Sequence, residues 1–134
     1  MYNDTLTDMV SRINVALLER DQNVSVPKSK LNILVLNQLY IKGCIGAFHI
    51  NPMKVKVYLK YWNNKPVLQK LKCMSTPGRQ FNWRFPYLRT ELYKTNYMCF
   101  YILSTTMGVL CSDDLLLMGY EKRIGGRILL KVLL

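Results

Sequence analysis

An α+β fold, with an α/β first half and a β-rich second half, is predicted by three observations. Two segments before residue 43 carry apolar residues at helical spacing. From Ile45 the period switches to two. From residue 97 onward, strand-length apolar runs separated by turns dominate, with one short helical stretch.

The first helix is predicted over "NDTLTDMVSRINVALLER", where Leu6, Met9, Val10, Ile13, Ala16 and Leu17 form one stripe and Asn3 or Asp4 supplies the N-cap. Polar "DQN" ends it, and "VSVP" follows as a strand. In "KSKLNILVLNQLYIKG", Ser29 caps a second helix with a stripe of Leu31, Leu34, Val35 and Leu39, and Gly43 serves as its C-cap. "GAFHI" is the next strand, and Asn51-Pro52 turns the chain into "KVKVYLKY". There Val55, Val57 and Leu59 alternate with Lys54, Lys56, Tyr58 and Lys60, which describes a half-buried strand with a basic outer side. "WNNKP" is a hairpin loop and "VLQKLKCM" a further strand.

Residues 1–72 therefore read as an α/β subdomain of helix, strand, helix and three strands, and residues 73–134 as a β-rich subdomain. The boundary falls near the turn signal Ser75-Thr76-Pro77-Gly78. After it come the aromatic "QFNWRFPYL", the strand "YMCFYIL", a turn at Met107-Gly108, and "VLC". Ser112, Asp113 and Asp114 cap a short helical "LLLMG", and "GGRILLKVLL" closes the chain as an apolar strand. No internal repeat and no low-complexity tail is present.

With half of its 134 residues apolar, the chain has material for one compact core, or for two small subdomains sharing one. Nineteen Lys and Arg against eight Asp and Glu leave a net charge of +11, a field suited to nucleic acid or an anionic membrane surface. No apolar run reaches the roughly 18 residues a membrane span needs, and the first residues lack a secretory layout, so a soluble protein is expected. Cys44, Cys73, Cys99 and Cys111 are widely spread with only His49 to help, which reads as buried thiols in a reducing compartment and no metal or cofactor. His49 has neither nucleophile nor ligands nearby in sequence, and Asp113 and Asp114 read as helix N-terminal acids. Neither an enzyme nor a small-molecule substrate is expected.

The segments "DTLTDMVSRI", "PKSKL", "LKY", "STPGR", "STTMGV" and a final "GG" before an apolar strand occur in one order. In this arrangement, over nearly its whole length, the chain resembles the family of universal small-subunit ribosomal protein number eight. The resemblance implies an N-terminal α/β domain, a C-terminal β-rich domain, and binding to the central domain of small-subunit rRNA beside neighbouring small-subunit proteins. It implies that Ser104, Thr105 and Thr106, with Gly108 beside them, form a loop that touches RNA. A hydroxyl donates and accepts at short range, so it bonds a phosphate oxygen, a 2′-OH or a base edge, whereas lysine is a long donor only. The competing reading is that these hydroxyls bond the backbone of their own turn.

Lys28, Ser29 and Lys30 sit where a helix N-terminus favours an anion, with an ordinary cap and solvated lysines as the alternative. Arg12 lies off the apolar stripe of the first helix, where reaching RNA and simple solvation are the two readings. Arg79, Arg84 and Arg89 interleave with Phe81, Trp83, Phe85 and Tyr87. The face of Phe81, Trp83 and Phe85 is expected in the core, which leaves Arg79 and Tyr87 for RNA. Lys54, Lys56 and Lys60 are expected to be a solvated face that adds to the field and meets other proteins.

The chain departs from the family's pattern at Arg127, where a glutamate is usual after the glycine pair, and this cation is expected to bond phosphate directly. Tyr97-Met98-Cys99 replaces a small-residue run, Met107 replaces a basic residue, and the stretch from Gly78 to Ser104 is a few residues longer. The function expected is a structural, rRNA-binding constituent of the small subunit, with a free RNA-binding translational regulator as the alternative. Abundant Asn, Tyr, Ile, Leu and Lys, and a first helix that begins without an Arg-rich transit segment, point to an organellar gene. The expected location is a ribosome of the mitochondrial matrix, with a plastid second.

Overall fold

The computed structural model describes residues 2–74, 82–84, 99–105, 108–112, 114 and 125–134. Helix α1 spans Tyr2–Glu19, so Asn3 and Asp4 lie inside its first turn and not ahead of it as caps. All six residues of the expected stripe are buried. At its end Arg20 adopts φ +57. The N–H of Asp21 then reaches the carbonyl of Ala16 at 2.9 Å and that of Arg20 the carbonyl of Leu17 at 3.3 Å, a Schellman closure.

Strand β1 is Asn23–Pro27 and helix α2 is Lys30–Ile41. Ser29 caps α2 in an extended conformation, its Oγ accepting the N–H of Asn32 at 3.1 Å. The buried face consists of Asn32, Val35, Leu36 and Leu39, which corrects the expected stripe. Asn32 occupies a core position because its Nδ2 donates to the carbonyls of Pro27 (2.9 Å) and Thr5 (3.3 Å), tying α2 to α1 and β1. That choice of face leaves Leu31 half-buried and Leu34 exposed. Lys42 is the C-cap, and Gly43, one place further, takes the left-handed φ of +76.

Strands β2 (Ile45–Ile50) and β3 (Lys54–Leu59) complete a first sheet of order β1-β3-β2, antiparallel throughout. Val55, Val57 and Leu59 point into the core, as their spacing requires. A bulge at Gly46 shifts the register between Ile45↔Leu59 and Ala47↔Tyr58. Strands β4 (Tyr61–Trp62) and β5 (Lys65–Pro66) form a tight hairpin whose two central residues, Asn63 and Asn64, both have positive φ.

The second sheet is built from β6 (Lys70–Cys73), β7 (Asn82–Arg84), β8 (Cys99–Thr105), β9 (Gly108–Cys111) and β10 (Gly125–Leu133). Its order is β6-β10-β8-β9, with β7 also on β10. Strand β6, most of which falls within the expected first subdomain of residues 1–72, pairs Lys70–Cys73 with Leu133–Leu130 of the last strand and so belongs to the second sheet. Helix α1 docks on β6 through Asn14, whose amide donates to the carbonyl of Leu71 (2.8 Å) and accepts its N–H (2.9 Å). Strand β8 is buried on both faces, Phe100 and Ile102 joining the main core and Cys99, Tyr101 and Leu103 buried on the other side. Beyond β9, Ser112 and Asp114 are helical, and the expected helical stretch at 115–119 lies outside the described residues. Also outside are Arg79, Phe81, Phe85, Tyr87 and Arg89.

One hydrophobic cluster runs through both sheets, from Leu6 and Ile13 of α1 to Leu71, Ile102 and Val132. Among the described residues, no helix is long and apolar enough to cross a membrane. Cys44, Cys99 and Cys111 are buried, and Cys73 is partly so.

Candidate nucleic-acid interface

The N-terminus of α2 faces the end of the β8–β9 hairpin across a groove of about 480 Å³. It is lined by Ser29, Lys30, Leu31 and Leu34 on one side and Ser104, Gly108, Val109 and Arg127 on the other. A second hollow of about 530 Å³ shares Ser29, Lys30 and Leu34 and extends to Lys28 and Pro52. Ser29 and Lys30 of the first half and Ser104, Gly108 and Arg127 of the second are thus brought to one place.

The groove's parts are positioned by backbone structure. Ser104 and Arg127 are register partners across β8 and β10, so hydroxyl and guanidinium start from neighbouring backbones. Thr105 pairs with Gly108 where the β8–β9 hairpin closes, and its Oγ1 donates to the Gly108 carbonyl at 2.8 Å. For Thr105, then, the turn-bonding reading holds. Gly108 has φ +114, a left-handed conformation. A Cβ there would meet no atom within 4 Å, so the backbone angle and not crowding is what asks for glycine. Thr106 lies outside the described residues.

Electrostatically the groove is one-sided. Its described lining holds the Lys30 ammonium and the Arg127 guanidinium and no carboxylate. The positive end of the α2 dipole adds to that field. Ser29 Oγ accepts the Asn32 N–H, and its own proton is available to a ligand. Leu31, Leu34 and Val109 supply an apolar floor that sequence reasoning did not assign to the site. For the two leucines the signal is their spacing along the helix, which by period alone points to the core.

Arg12 stands apart from this groove. Its Nε lies 2.9 Å from Asp8 Oδ1, one helical turn away, and it borders a different hollow together with Val15, Asp21 and Val24. Lys54 and Lys60 are exposed, and the Lys56 ammonium sits 5.3 Å from the centre of the Tyr58 ring. His49 is exposed on β2, and no group of three or more potential metal ligands occurs among the described residues.

The far end of α2 is fixed to the second half. Lys42 Nζ lies 3.0 Å from Asp114 Oδ1, and the Cys111 thiol donates to Gln38 Oε1 at 3.3 Å. Asp114 is therefore one half of an ion pair between halves of the molecule. Burial pushes the Cys44 thiol up to about 11, partly offset by Lys60 and Lys42, and burial also raises that of Cys73.

Comparison with known proteins adds an independent finding. The family model described as Ribosomal protein S8 matches residues 4–133. The chain is similar to a Small ribosomal subunit protein uS8m of Acanthamoeba castellanii, with 38% identity over 128 residues, 95% of this chain and 97% of the relative. It is also similar to a Small ribosomal subunit protein uS8 of Nitratidesulfovibrio vulgaris (strain DSM 19637 / Miyazaki F), with 33% identity over 133 residues, 98% of this chain and 99% of the relative. A third relative, named Small ribosomal subunit protein uS8, is that of Vesicomyosocius okutanii subsp. Calyptogena okutanii (strain HA), with 30% identity over 137 residues and 97% coverage of both chains.

Proposed function

The chain belongs to the ribosomal protein S8 family, and from that premise we propose that it is a structural constituent of a mitochondrial small ribosomal subunit that binds the central domain of the small-subunit rRNA. Its work is binding and not bond chemistry. The observation that carries the reading is the groove in which Ser29 and Lys30 of one half face Ser104 and Arg127 of the other.

The mechanism follows from range. A net charge of +11 attracts RNA over distances of about a Debye length, roughly 8–10 Å at physiological salt. At contact, Lys30 and Arg127 neutralise phosphates, Arg127 with a planar fork that can bind two oxygens. The hydroxyls of Ser29 and Ser104 act only within hydrogen-bond distance, so they respond to the shape of the sugar–phosphate surface. The apolar floor of Leu31, Leu34 and Val109 accepts ribose carbons and excludes water from these contacts.

The test is binding of a central-domain rRNA fragment across a salt series. Lys30→Ala is expected to reduce the salt slope by about one unit, and Ser104→Ala combined with Thr106→Val to weaken binding at an unchanged slope. Parental affinity in the hydroxyl double variant would remove the loop from the interface. Cosedimentation with mitochondrial small subunits at high salt is expected, and loss of the protein under those conditions would favour the free-regulator alternative.

A further inference from the structure

Strand β2 forms one edge of the first sheet. Among the described residues nothing pairs with that edge, since β2 has β3 as its sole partner in the order β1-β3-β2. The open stretch is Ala47–Ile50, bounded by the Gly46 bulge on one side and the Asn51-Pro52 turn on the other. Proteins commonly guard such an edge with lysine, proline or inward-pointing charge, and these four residues include none of them. Instead the edge is flanked by exposed apolar side chains. Tyr40 of α2 is 51% exposed and Ile50 46% exposed. Tyr40 meets Phe48 edge-to-face at 6.3 Å, and both line a hollow of about 310 Å³ together with Asn37 and Ala47.

We propose that Ala47–Ile50 is a docking edge for an extended segment of a neighbouring protein, one that alternates apolar and acidic residues and adds as an extra strand to the first sheet. The alternation comes from the register. Phe48 and Ile50 lie on the side of Val57 and Val55, where an incoming apolar side chain would meet Tyr40 and the hollow. Ala47 and His49 lie on the side of Tyr58 and Lys56, and the three strands of this sheet contain three basic or imidazole side chains, His49, Lys54 and Lys56, and no acid, with Lys60 following just beyond β3. Carboxylates fit there.

Two other occupants fit less well. A strand edge offers N–H and C=O groups in alternation, and a phosphate chain can accept from the first but cannot donate to the second. A second copy would bring one basic sheet face beside another, with +11 on each chain. The proposal takes from the assembly reading only the presence of protein neighbours, and it does not depend on the groove.

The test uses the full chain and amide hydrogen exchange, with an octapeptide of alternating valine and glutamate as probe. A lysine-for-glutamate version and oligouridylate serve as comparisons. At a concentration ten times its Kd, the acidic peptide is expected to slow exchange within Ala47–Ile50 about tenfold, and the basic peptide to leave it unchanged. The double variant His49→Glu, Lys56→Glu is expected to exchange these preferences. Its salt slope for the rRNA fragment is expected to stay at the parental value, because neither residue lines the groove, so that failure here is separable from failure of the groove. Equal protection by both peptides, protection by oligouridylate, protection by self-association, or no protection at this edge would each overturn the proposal.

Discussion

Hydroxyl groups near the groove differ in what their own backbone has already claimed. Thr105 has given its proton to the Gly108 carbonyl, so it cannot also donate to a phosphate, whereas Ser29 has accepted an N–H and retains its proton. Thr105→Val is accordingly expected to lower stability by about 1 kcal/mol in chemical denaturation, with a smaller effect on rRNA affinity than Ser104→Ala. At Cys44 the sign of a pH effect can be worked out. Its thiol titrates near 11 when folded and near 9.0 in a solvated chain. The stabilisation from keeping it neutral is complete below pH 9 and is lost as pH rises from about 9 to about 11, because the unfolded chain releases the proton first. The urea midpoint is expected to fall across that window, and to fall less in Cys44→Ala.

Among the elements, those set by local period were legible and those set by distant partners were not. The alternation of Val55, Val57 and Leu59, the stripe of α1 and the Ser29 cap all follow from side-chain direction and orphan backbone donors, which neighbouring residues determine. By period alone Leu31 and Leu34 belong to the core. Asn32 instead takes the buried face through bonds to Thr5 and Pro27, contacts that no local pattern announces. The same holds for β6, whose partner β10 lies at the far end of the chain. Ser104, Lys30 and Arg127 stand out in the sequence one by one as candidates, while their meeting in one groove is visible only in the tertiary structure. Asn14→Ala is expected to cost about 2 kcal/mol by urea denaturation, since it strips both backbone bonds of Leu71 from the α1–β6 contact. Gly43→Ala is expected to cost about 1 kcal/mol, set by φ +76 and not by space, for the nearest atom to a Cβ there is Lys60 Nζ at 3.9 Å.

For the whole molecule, the hydrophobic cluster that passes from α1 into the second sheet ties the two halves together. Calorimetry is expected to show one unfolding transition, and two well-separated transitions would mean that residues 1–72 and 73–134 melt as independent units. The ion pair of Lys42 with Asp114 has a consequence for recognition. Helix α2 is 12 residues, about 18 Å, long, and it carries Lys30 at one tip while the other tip is pinned to the opposite half. It behaves like the arm of a caliper, whose jaws hold their opening because the joint at the far end is tight. Cutting that joint with Asp114→Asn would leave every group in the jaws unchanged and still make RNA capture entropically harder.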